Sequence, residues 1–370
     1  MSVAHPSAFL PSAILDQIRS CAHEAEFLRD LHPKQRGIIF REKWFKMFVP
    51  KDFGGLDLSL PQVLRIEEAL AWADGSTAWV TTLCSGAGWF VGFLDPSLSQ
   101  KIFRYDDLCV AGSGNVSGLA EIDADGYRIN GSWKYASGSL HATLFTANCA
   151  ITENGKPKLD SDGKQLVRAF ALLPNEVQVI RSWNMMGMVA TASHSFSVTD
   201  LTVPAARAFQ IDARHAKIDK PVYRYPFLQL AEATLTVNLS GMAQRFLDLC
   251  RERAASKPPS LSVVEGSEVE ASGVEGSGVE RSLEELHSAR AAFYDAVEVS
   301  WKHCELGNDI PLAVSRDITA TSRALSQTAI RLVDKLYPHM GLGAADISSE
   351  INRIWRNLHT ASQHSLFWRM

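Results

Sequence analysis

Two histidines lie close together near the end of the chain, within a segment whose spacing predicts a helix over residues 348–368. An imidazole can take up or release a proton near neutral pH, so His364 is a candidate catalytic residue. On a continuous helix, His359 would lie about 140° around the axis from His364, so only one of them should face a site. The structural alternative for His364 is a helix-end histidine favoured by the helix dipole.

A second group of chemically capable residues follows a tryptophan in the middle of the chain, in the segment GSWKYASG at 131–138. Ser137 offers a hydroxyl where a strand ends, and its structural alternative is an ordinary Ser-Gly turn with Gly138. Trp133 could flank a flat ligand or belong to the core of a sheet. His141 could reach the same place, although we favour a simple strand cap for it.

Three regions of different pattern must position these residues. Residues 7–105 predict helices, including 11–28, 61–73 and one from Thr77. Residues from about 108 predict strands at 108–112, 145–151, 167–173 and 193–201, with a hairpin around Asp125-Gly126. Long helices are predicted at 235–253, 284–306, 311–337 and 348–368. The predicted fold is therefore α+β and multidomain: an N-terminal helical domain (1–107), a middle β-barrel-like domain (108–220) and a C-terminal four-helix bundle (221–370).

A low-complexity segment interrupts the bundle. Residues 264–280 repeat Val-Glu with small residues at a period of about five. Such a sequence cannot bury enough apolar surface to order itself, so we predict a flexible linker over 257–282.

Composition limits the classes of function. The 370 residues carry a net charge of −4 and are 46% hydrophobic, so large cores can form and no basic surface for nucleic acid is indicated. No apolar run is long enough to cross a bilayer, and the first residues do not resemble a signal peptide. The six cysteines are scattered without a CxxC pair, which favours reduced thiols in a cytoplasmic protein over disulfides or a metal site.

One glycine-rich stretch imitates a dinucleotide-binding loop. The segment GSGNVSG at 112–118 follows a predicted strand, but its spacing is GxGxxxG and a hairpin follows it. A dinucleotide site needs a helix N-terminus there to hold the pyrophosphate. We therefore expect no nicotinamide site, and any reductant has to come from a separate protein.

Four motifs in order resemble the acyl-CoA dehydrogenase superfamily. They are FVPKDFGG at 48–55, EEALAWADGSTAW at 67–79, GYRINGSWKYASG at 126–138 and GMVATAS at 187–193 with a later Val-Pro. Each motif is weak alone, but their order and spacing span nearly the whole chain. The resemblance implies the helix, sheet and bundle arrangement above, and a homotetramer.

Within that superfamily, the SWKYASG segment and the late RNLH…H segment resemble the two-component flavin-dependent monooxygenases. That subgroup includes the oxygenase component of 4-hydroxyphenylacetate hydroxylase and dibenzothiophene monooxygenase. The resemblance implies reduced FMN or FAD as co-substrate, O2, a small organic substrate and a separate flavin reductase. It implies that Ser137 lies beside flavin N5, that Trp133 flanks the flavin ring, and that His364 handles a proton. The other implied cofactor-binding residues are Ala136, Gly138, Gly112, Ser113 and Ser193. The implied substrate-pocket residues are Trp89, His141 and His359.

The chain departs from the dehydrogenase pattern in its last helix. No carboxylate follows Glu350, so the C-terminal base that abstracts an α-proton in many dehydrogenases is missing. An acyl-CoA dehydrogenase with a base elsewhere in the bundle, such as Glu232 or Asp248, remains an alternative. A non-catalytic flavin- or ligand-binding descendant is a further alternative.

Other departures concern ligand recognition. Val189 stands where related hydroxylases often have arginine, and Ala87-Gly88 stand where several relatives have a substrate histidine. A smaller or non-phenolic substrate is therefore compatible with the sequence. The segments that hold the adenosine half of FAD in dehydrogenases correspond to 253–259 and 336–343 and are eroded, so FMN is as compatible as FAD.

Overall fold

Capping residues set the limits of the N-terminal helices. The computed structural model describes residues 3–256 and 276–368. Asp74 ends the fourth helix, and its carboxylate accepts the backbone N–H of Thr77 at 2.8 Å, so it also caps the fifth. The single helix predicted over 11–28 is two helices, because the chain turns at Cys21. The helices of this region are α1 (Ser12–Ser20), α2 (Ala22–Leu28), α3 (Pro33–Arg41), α4 (Leu60–Ala73), α5 (Gly75–Gly88) and α6 (Pro96–Phe103).

The middle region forms one mixed sheet. Its strands are β1 (Val110–Asp123), β2 (Gly126–Ala136), β3 (Leu144–Glu153), β4 (Lys156–Pro157), β5 (Val167–Leu172), β6 (Gln178–Ile180), β7 (His194–Pro204) and β8 (Ala208–Phe209). The order is β6-β7-β2-β1-β3-β5-β8, with β4 beside β3. Strands β1 and β3 run parallel, and the other pairs are antiparallel. Among the described strands, β6 and β8 do not pair with each other, so the barrel-like domain is open.

The first strand is longer than the sequence predicts. It continues through residues 112–118 and pairs Asp123 with Gly126, which confirms the hairpin and leaves no helix for a dinucleotide loop. A Cβ on Gly112 would lie 2.1 Å from the hydroxyl oxygen of Thr146. Glycine is therefore required where β1 and β3 approach each other.

The C-terminal helices are α7 (Pro221–Arg224), α8 (Phe227–Ser256), α9 (Gly276–Glu305), α10 (Leu312–Leu336) and α11 (Glu350–Ala361). Helix α8 packs against α4, α9, α10 and α11, which confirms the predicted bundle. Helix α9 begins at Gly276, inside the interval predicted as a linker, and residues 257–275 lie outside the described residues. The domain boundaries at 107/108 and 220/221 remain predictions.

The last helix ends earlier than predicted. It stops at Ala361, and a 3-10 turn over Ser365–Phe367 follows. His359 therefore lies on the helix and His364 lies beyond it, so the predicted angle of 140° between them does not apply. Among the described helices, none has both the length and the apolar character that crossing a membrane requires.

Two adjacent carboxyl groups on α4 are buried in opposite electrostatic environments. Glu68 is 0% exposed and pairs with Arg290, which donates to it at 2.8 and 2.9 Å, while Ser240 and Tyr294 donate further hydrogen bonds. Burial raises the pKa of Glu68, but these partners lower it more, and the net pKa lies below the ordinary value. Burial raises the pKa of Glu67 well above the ordinary value, and the nearby hydroxyl of Thr82 lowers it by less. Neither carboxyl oxygen of Glu67 has a hydrogen bond of normal geometry among the described residues.

Replacing each of these two glutamates by neutral glutamine should change the free energy of unfolding in opposite directions. Because the pKa of Glu67 is raised, the folded state holds its proton longer, so stability falls as pH rises above the ordinary value of 4.5. Each pH unit in that window costs up to about 1.4 kcal/mol. We expect Glu67→Gln to be close to wild type at pH 5 and more stable at pH 8, measured by urea unfolding.

The matched control is Glu68→Gln. It leaves Arg290, which is 1% exposed, without its anionic partner, and should destabilise the fold by about 3–5 kcal/mol at pH 7. Equal losses from both variants would contradict the assignment of Glu67 as a neutral acid.

Candidate functional site

Ser137 lies in a turn directly after β2, and its hydroxyl is the first member of a buried chain of hydroxyl groups. Its Oγ lies 2.7 Å from Ser193 Oγ, which lies 2.7 Å from Thr191 Oγ1. Thr191 Oγ1 donates to the carbonyl of Met188 at 2.8 Å. We call Ser137, Ser193 and Thr191 the hydroxyl relay.

The relay has one consistent direction. A hydroxyl donates only one proton, and Thr191 gives its proton to the Met188 carbonyl, so Ser193 has to donate to Thr191. Ser137 then has to donate to Ser193. The remaining lone pairs of Ser137 Oγ make it a hydrogen-bond acceptor toward any ligand.

The C-terminal helix holds the loop that carries this relay. Asn357 of α11 accepts the backbone N–H of Met188 at 2.6 Å. A Cβ on Gly187 would lie 2.0 Å from the carbonyl oxygen of Arg356, so loop and helix are in direct contact. Met188 and Ala192 have φ of 53° and 45°, a left-handed conformation that residues with a side chain rarely adopt. We call residues 183–193 the relay loop.

Helix α5 lies against the turn at Ser137. Gly138 has φ of 73°, and a Cβ there would meet Cys84 Sγ at 2.7 Å. Cys84 Sγ donates to the Ser137 carbonyl at 3.6 Å and lies 3.6 Å from Cys109 Sγ. The predicted turn therefore requires glycine at 138 for both conformation and space.

His364 contacts the same helix. Its ring packs edge-on against Trp79 of α5, with centroids 6.1 Å apart. Its Nδ1 accepts the backbone N–H of Leu366 at 3.4 Å at the start of the 3-10 turn, so Nε2 is the nitrogen that carries the proton in the neutral ring. Helix α5 is thus the element that both predicted catalytic residues contact.

Two aromatic side chains that precede Ser137 on β2 differ in their exposure. Trp133 is fully buried, stacks on Phe196 at 5.1 Å and donates to the Asn148 carbonyl at 3.0 Å, which favours the core role left open by the sequence. Tyr135 is 54% exposed, has φ of 68° and lies 6.1 Å from the ring of Trp183. The sequence analysis did not single out Tyr135. Its position two residues before Ser137 was the signal that could have identified it.

The other predicted site residues lie in several places. Ala136 pairs with His194 across β2 and β7, and Ser113 lies on β1. Trp89 is buried in an aromatic cluster with Phe93 and Phe227 and donates to a backbone carbonyl.

The two remaining predicted pocket histidines each contact an aspartate. His141 Nε2 lies 2.7 Å from an Asp30 carboxylate oxygen. His359 Nε2 lies 2.9 Å from Asp334 on α10, and its ring packs on Trp355. Neither contact involves the hydroxyl relay.

Both carboxylates considered as an alternative base have structural partners. Asp248 accepts from Trp72 at 2.7 Å, and His5 and Gln244 each lie 3.1 Å away. Burial raises the pKa of Asp248, but these bonds lower it more, to below its ordinary value, so it is a weak base. Glu232 accepts from Thr319 of α10 at 2.6 Å.

Two cavities lie on the surface of the sheet domain. One, of about 690 Å³, lies between α6 and the sheet, and none of the predicted site residues lines it. The other, of about 550 Å³, is lined by His194, Trp183 and three arginines. It borders the relay loop. Among the described residues there is no cluster of side chains suited to hold a metal ion.

The arrangement of helices, open sheet and bundle is the acyl-CoA dehydrogenase fold, and the comparisons with known proteins agree with it. Residues 233–369 match the family model described as acyl-CoA dehydrogenase, C-terminal domain. Indole-3-acetate monooxygenase of Pseudomonas putida is 28% identical, over 95% of this chain and 88% of that protein. The flavin-dependent monooxygenase oxygenase subunit HsaA of Rhodococcus jostii is 22% identical, over 95% of this chain and 92% of that protein.

Solved structures show the same fold. The 3-HSA hydroxylase of Rhodococcus sp. RHA1 superposes with a TM-score of 0.85 at 20% identity, covering 96% of this chain and 92% of that one. XiaF of Streptomyces sp., in complex with FADH2 and glycerol, has a TM-score of 0.82 at 19% identity, covering 98% and 93%. TdsC of Paenibacillus sp. A11-2, with FMN and indole, has a TM-score of 0.78 at 18% identity, covering 95% and 92%.

The predicted resemblance is therefore confirmed. The chain is similar over nearly its whole length to flavin-dependent monooxygenases with the acyl-CoA dehydrogenase fold. These relatives favour the monooxygenase interpretation over the dehydrogenase and the non-catalytic alternatives.

The contact between the relay loop and α11 can be tested by adding one methyl group. Gly187→Ala places a Cβ against the Arg356 carbonyl and should destabilise the fold by about 1–3 kcal/mol, measured as thermal unfolding. Gly86→Ala on α5 is the control, because nothing lies within 4 Å of the added Cβ. In a helix interior that change should be neutral or stabilise by about 0.5–1 kcal/mol. A Gly187→Ala protein as stable as wild type would mean that the contact is absent.

Proposed function

We propose that the protein is the oxygenase component of a two-component flavin monooxygenase. It takes reduced FMN or FAD from a separate reductase and uses O2 to oxygenate a small organic substrate. One oxygen atom enters the product and the other leaves as water, while the flavin is oxidised. The observation that carries this proposal is the hydroxyl relay, whose direction leaves Ser137 Oγ able to accept a hydrogen bond from a ligand.

The residues around Ser137 fit a reduced flavin. Reduced flavin carries an N–H at N5, and an oxygen that can only accept suits that donor. The exposed ring of Tyr135 offers one flat aromatic face, and the ring of Trp183 lies edge-on to it at 79°. When bound, the flavin supplies the electrons and the activation of O2. The chain supplies the acceptor at Ser137 and limits access of water through the packed relay loop and α5.

His364 is the proposed proton-handling residue. Its Nδ1 accepts the backbone N–H of Leu366, and an imidazole can give or take a proton near neutral pH, so we propose that this ring transfers a proton to or from the substrate. The dehydrogenase alternative is weakened because the two carboxylates considered as its base have structural partners: Asp248 contacts His5 and Trp72, and Glu232 accepts from Thr319.

The substrate is proposed to be a small aromatic compound. Relatives are named for indole-3-acetate and p-hydroxyphenylacetate. The apolar Val189 and the absence of a histidine at Gly88 weaken the case for phenol recognition by this chain. All six cysteines have free thiols, which fits work in the reducing cytoplasm.

The direct test is oxygen incorporation. The purified protein is mixed with reduced FMN or FAD, 18O2 and either indole-3-acetate or p-hydroxyphenylacetate, and the products are examined by mass spectrometry. Incorporation of one labelled oxygen supports a monooxygenase. Bleaching of tightly bound oxidised FAD by an acyl-CoA, without incorporation, would indicate the dehydrogenase instead.

The relay predicts an unusual role for Thr191. In Thr191→Val, Ser193 loses its acceptor, so the relay no longer holds the Ser137 proton away from the ligand. The reduced flavin would then be held less well, and more of its oxidation should end in hydrogen peroxide. We expect the ratio of hydrogen peroxide to product to rise about tenfold, which corresponds to the loss of a hydrogen bond of about 1.4 kcal/mol. Thr191→Ser keeps the hydroxyl and should behave as wild type. Equal peroxide yields from the Val and Ser variants would argue against the relay.

His364 can be tested with a substitution that keeps its backbone bond. Asparagine can accept the Leu366 N–H as Nδ1 does, but it has no group that exchanges protons near neutral pH. We expect His364→Asn to fold normally and to lower kcat by about 10²-fold or more. The controls are thermal stability and His359→Asn, which removes the neighbouring imidazole. A His364→Asn enzyme with wild-type kcat would rule out a catalytic role.

We also propose a homotetramer. Phe27, Met186 and Ile347 are exposed apolar side chains around Arg356, whose guanidinium group bonds Glu26 and the backbone of residues 186 and 347. Another copy of the chain would cover this surface. Sedimentation velocity should give four chains per particle and a smaller particle for Ile347→Glu. A monomeric wild type at micromolar concentration would contradict this.

A further inference from the structure

The cavity beside the relay loop is built from two parts of the chain. One wall is the connection between α2 and α3, and the other is formed by residues 181–194. Arg29 joins the walls, because its guanidinium group donates to the Trp183 carbonyl at 2.9 Å and to the Asn184 side chain at 3.1 Å. The volume, about 550 Å³, lies within the range of small-molecule sites, roughly 300–1,000 Å³.

Among the described residues that line the cavity, positive charges outnumber negative ones. It is lined by Arg29, Arg36 and Arg181, with Asp30 as the one carboxylate in the lining. Asp30 is itself engaged, since its oxygens lie 2.7 Å from His141 and 3.6 Å from Arg36. Among the described residues no carboxylate lies within ion-pair distance of Arg29 or Arg181.

His194 adds a donor whose orientation is fixed. Its Nδ1 accepts the backbone N–H groups of Ser182 at 3.2 Å and Trp183 at 3.1 Å, so the proton of the neutral ring is on Nε2. The side chain is 7% exposed and lines the cavity. Burial lowers the pKa of His194, and the charges of Arg181 and Arg29 lower it further, so the ring stays neutral at pH 7.

We propose that this cavity is an oxyanion subsite that binds the carboxylate or phosphate group of a flat aromatic ligand. The guanidinium group of Arg181 would donate hydrogen bonds to the oxyanion, as such groups commonly do. The Nε2–H of His194 would donate another. The ligand ring would lie along Trp183, whose ring is 6.1 Å from Tyr135. His194 pairs with Ala136, next to Ser137, so the subsite adjoins the proposed flavin site.

The oxyanion has two potential sources. One is the phosphate of the flavin, and the other is the carboxylate of an aromatic acid substrate. The choice between them rests on the proposed function, whereas the presence of an oxyanion subsite rests on the cavity alone. Equilibrium binding to the full-length apoprotein needs no turnover, so it tests the presence of the subsite separately from the proposed function.

The experiment compares ligands that differ only in the anionic group. FMN is titrated against riboflavin, and indole-3-acetate against 3-methylindole, by fluorescence quenching or calorimetry. Wild type should bind the anionic member of one pair about 10- to 100-fold more tightly than the neutral member. A phosphate effect identifies the flavin, and a carboxylate effect identifies the substrate.

Two variants test the assigned donors. Arg181→Met should reduce the anionic preference to about twofold or less, with little change for the neutral ligand. His194→Asn keeps an acceptor for the two backbone N–H groups, removes the Nε2 donor and should reduce the preference partly. Arg128→Met, which removes a half-exposed arginine at the other end of β2, is the matched control and should keep the wild-type preference.

Inorganic phosphate is the flavin-independent probe. It should raise the thermal midpoint of wild type and of Arg128→Met more than that of Arg181→Met. Anionic preferences that are absent, or unchanged in both Arg181→Met and His194→Asn, would overturn the proposal. Failed oxygen incorporation together with an Arg181-dependent preference would reject the proposed function while leaving the subsite intact.

Discussion

The hydrogen bond between Asn357 and the backbone of Met188 is the constraint on which the site depends. It joins the C-terminal helix to the relay loop, and the loop in turn sets the positions of Thr191 and Ser193. The bond is short because Gly187 lets the loop lie directly on the carbonyl of Arg356. Two left-handed residues in the loop are tolerated because the contacts on either side determine their conformation.

The bond between Asn357 and Met188 links parts of the chain that are distant in sequence to Ser137 Oγ. Ser137 belongs to the sheet domain, yet the direction of its proton is determined by a carbonyl in a loop held by the bundle. The N-terminal domain contributes α5, which contacts the Ser137 turn through Cys84 and His364 through Trp79. The sheet and α5 therefore contact the Ser137 turn directly, whereas the bundle acts on it only through the relay loop that Asn357 holds.

Much of the fold follows from sequence patterns. Helical and alternating periodicities gave the order of helices, sheet and bundle, and the Asp125-Gly126 hairpin was confirmed, because local turn chemistry determines such elements. The end of α11 at Ala361 was missed, since no glycine or proline marks it. Helix α9 begins at Gly276, where composition favoured a linker, because tertiary packing decides the helix start.

The site was less predictable than the fold. Motif order pointed to Ser137 and Ser193, but not to their mutual bond or to Thr191, because the direction of a relay depends on its final acceptor. Trp133 was chosen from the family resemblance, and regular alternation along β2 would place Tyr135 on the same face as Trp133. The positive φ of Tyr135 and the register shift between Trp133 and Ala136 break that alternation and turn Tyr135 outward.

The polar groups gathered around Ser137 are mostly neutral, and this has a consequence for its chemistry. Serine and threonine hydroxyls do not ionise near neutral pH, and His194 is held neutral by burial and by nearby arginines. The acceptor at Ser137 is therefore maintained without any charged residue in the relay. Fixed positive charge is instead confined to the adjoining cavity, where guanidinium groups remain charged across the whole physiological range. In the proposed site, the arginines would attract the anionic group of a ligand toward the cavity, while Ser137 would accept a hydrogen bond from a donor on the same ligand. This separation of charge from the neutral relay would orient the ligand electrostatically.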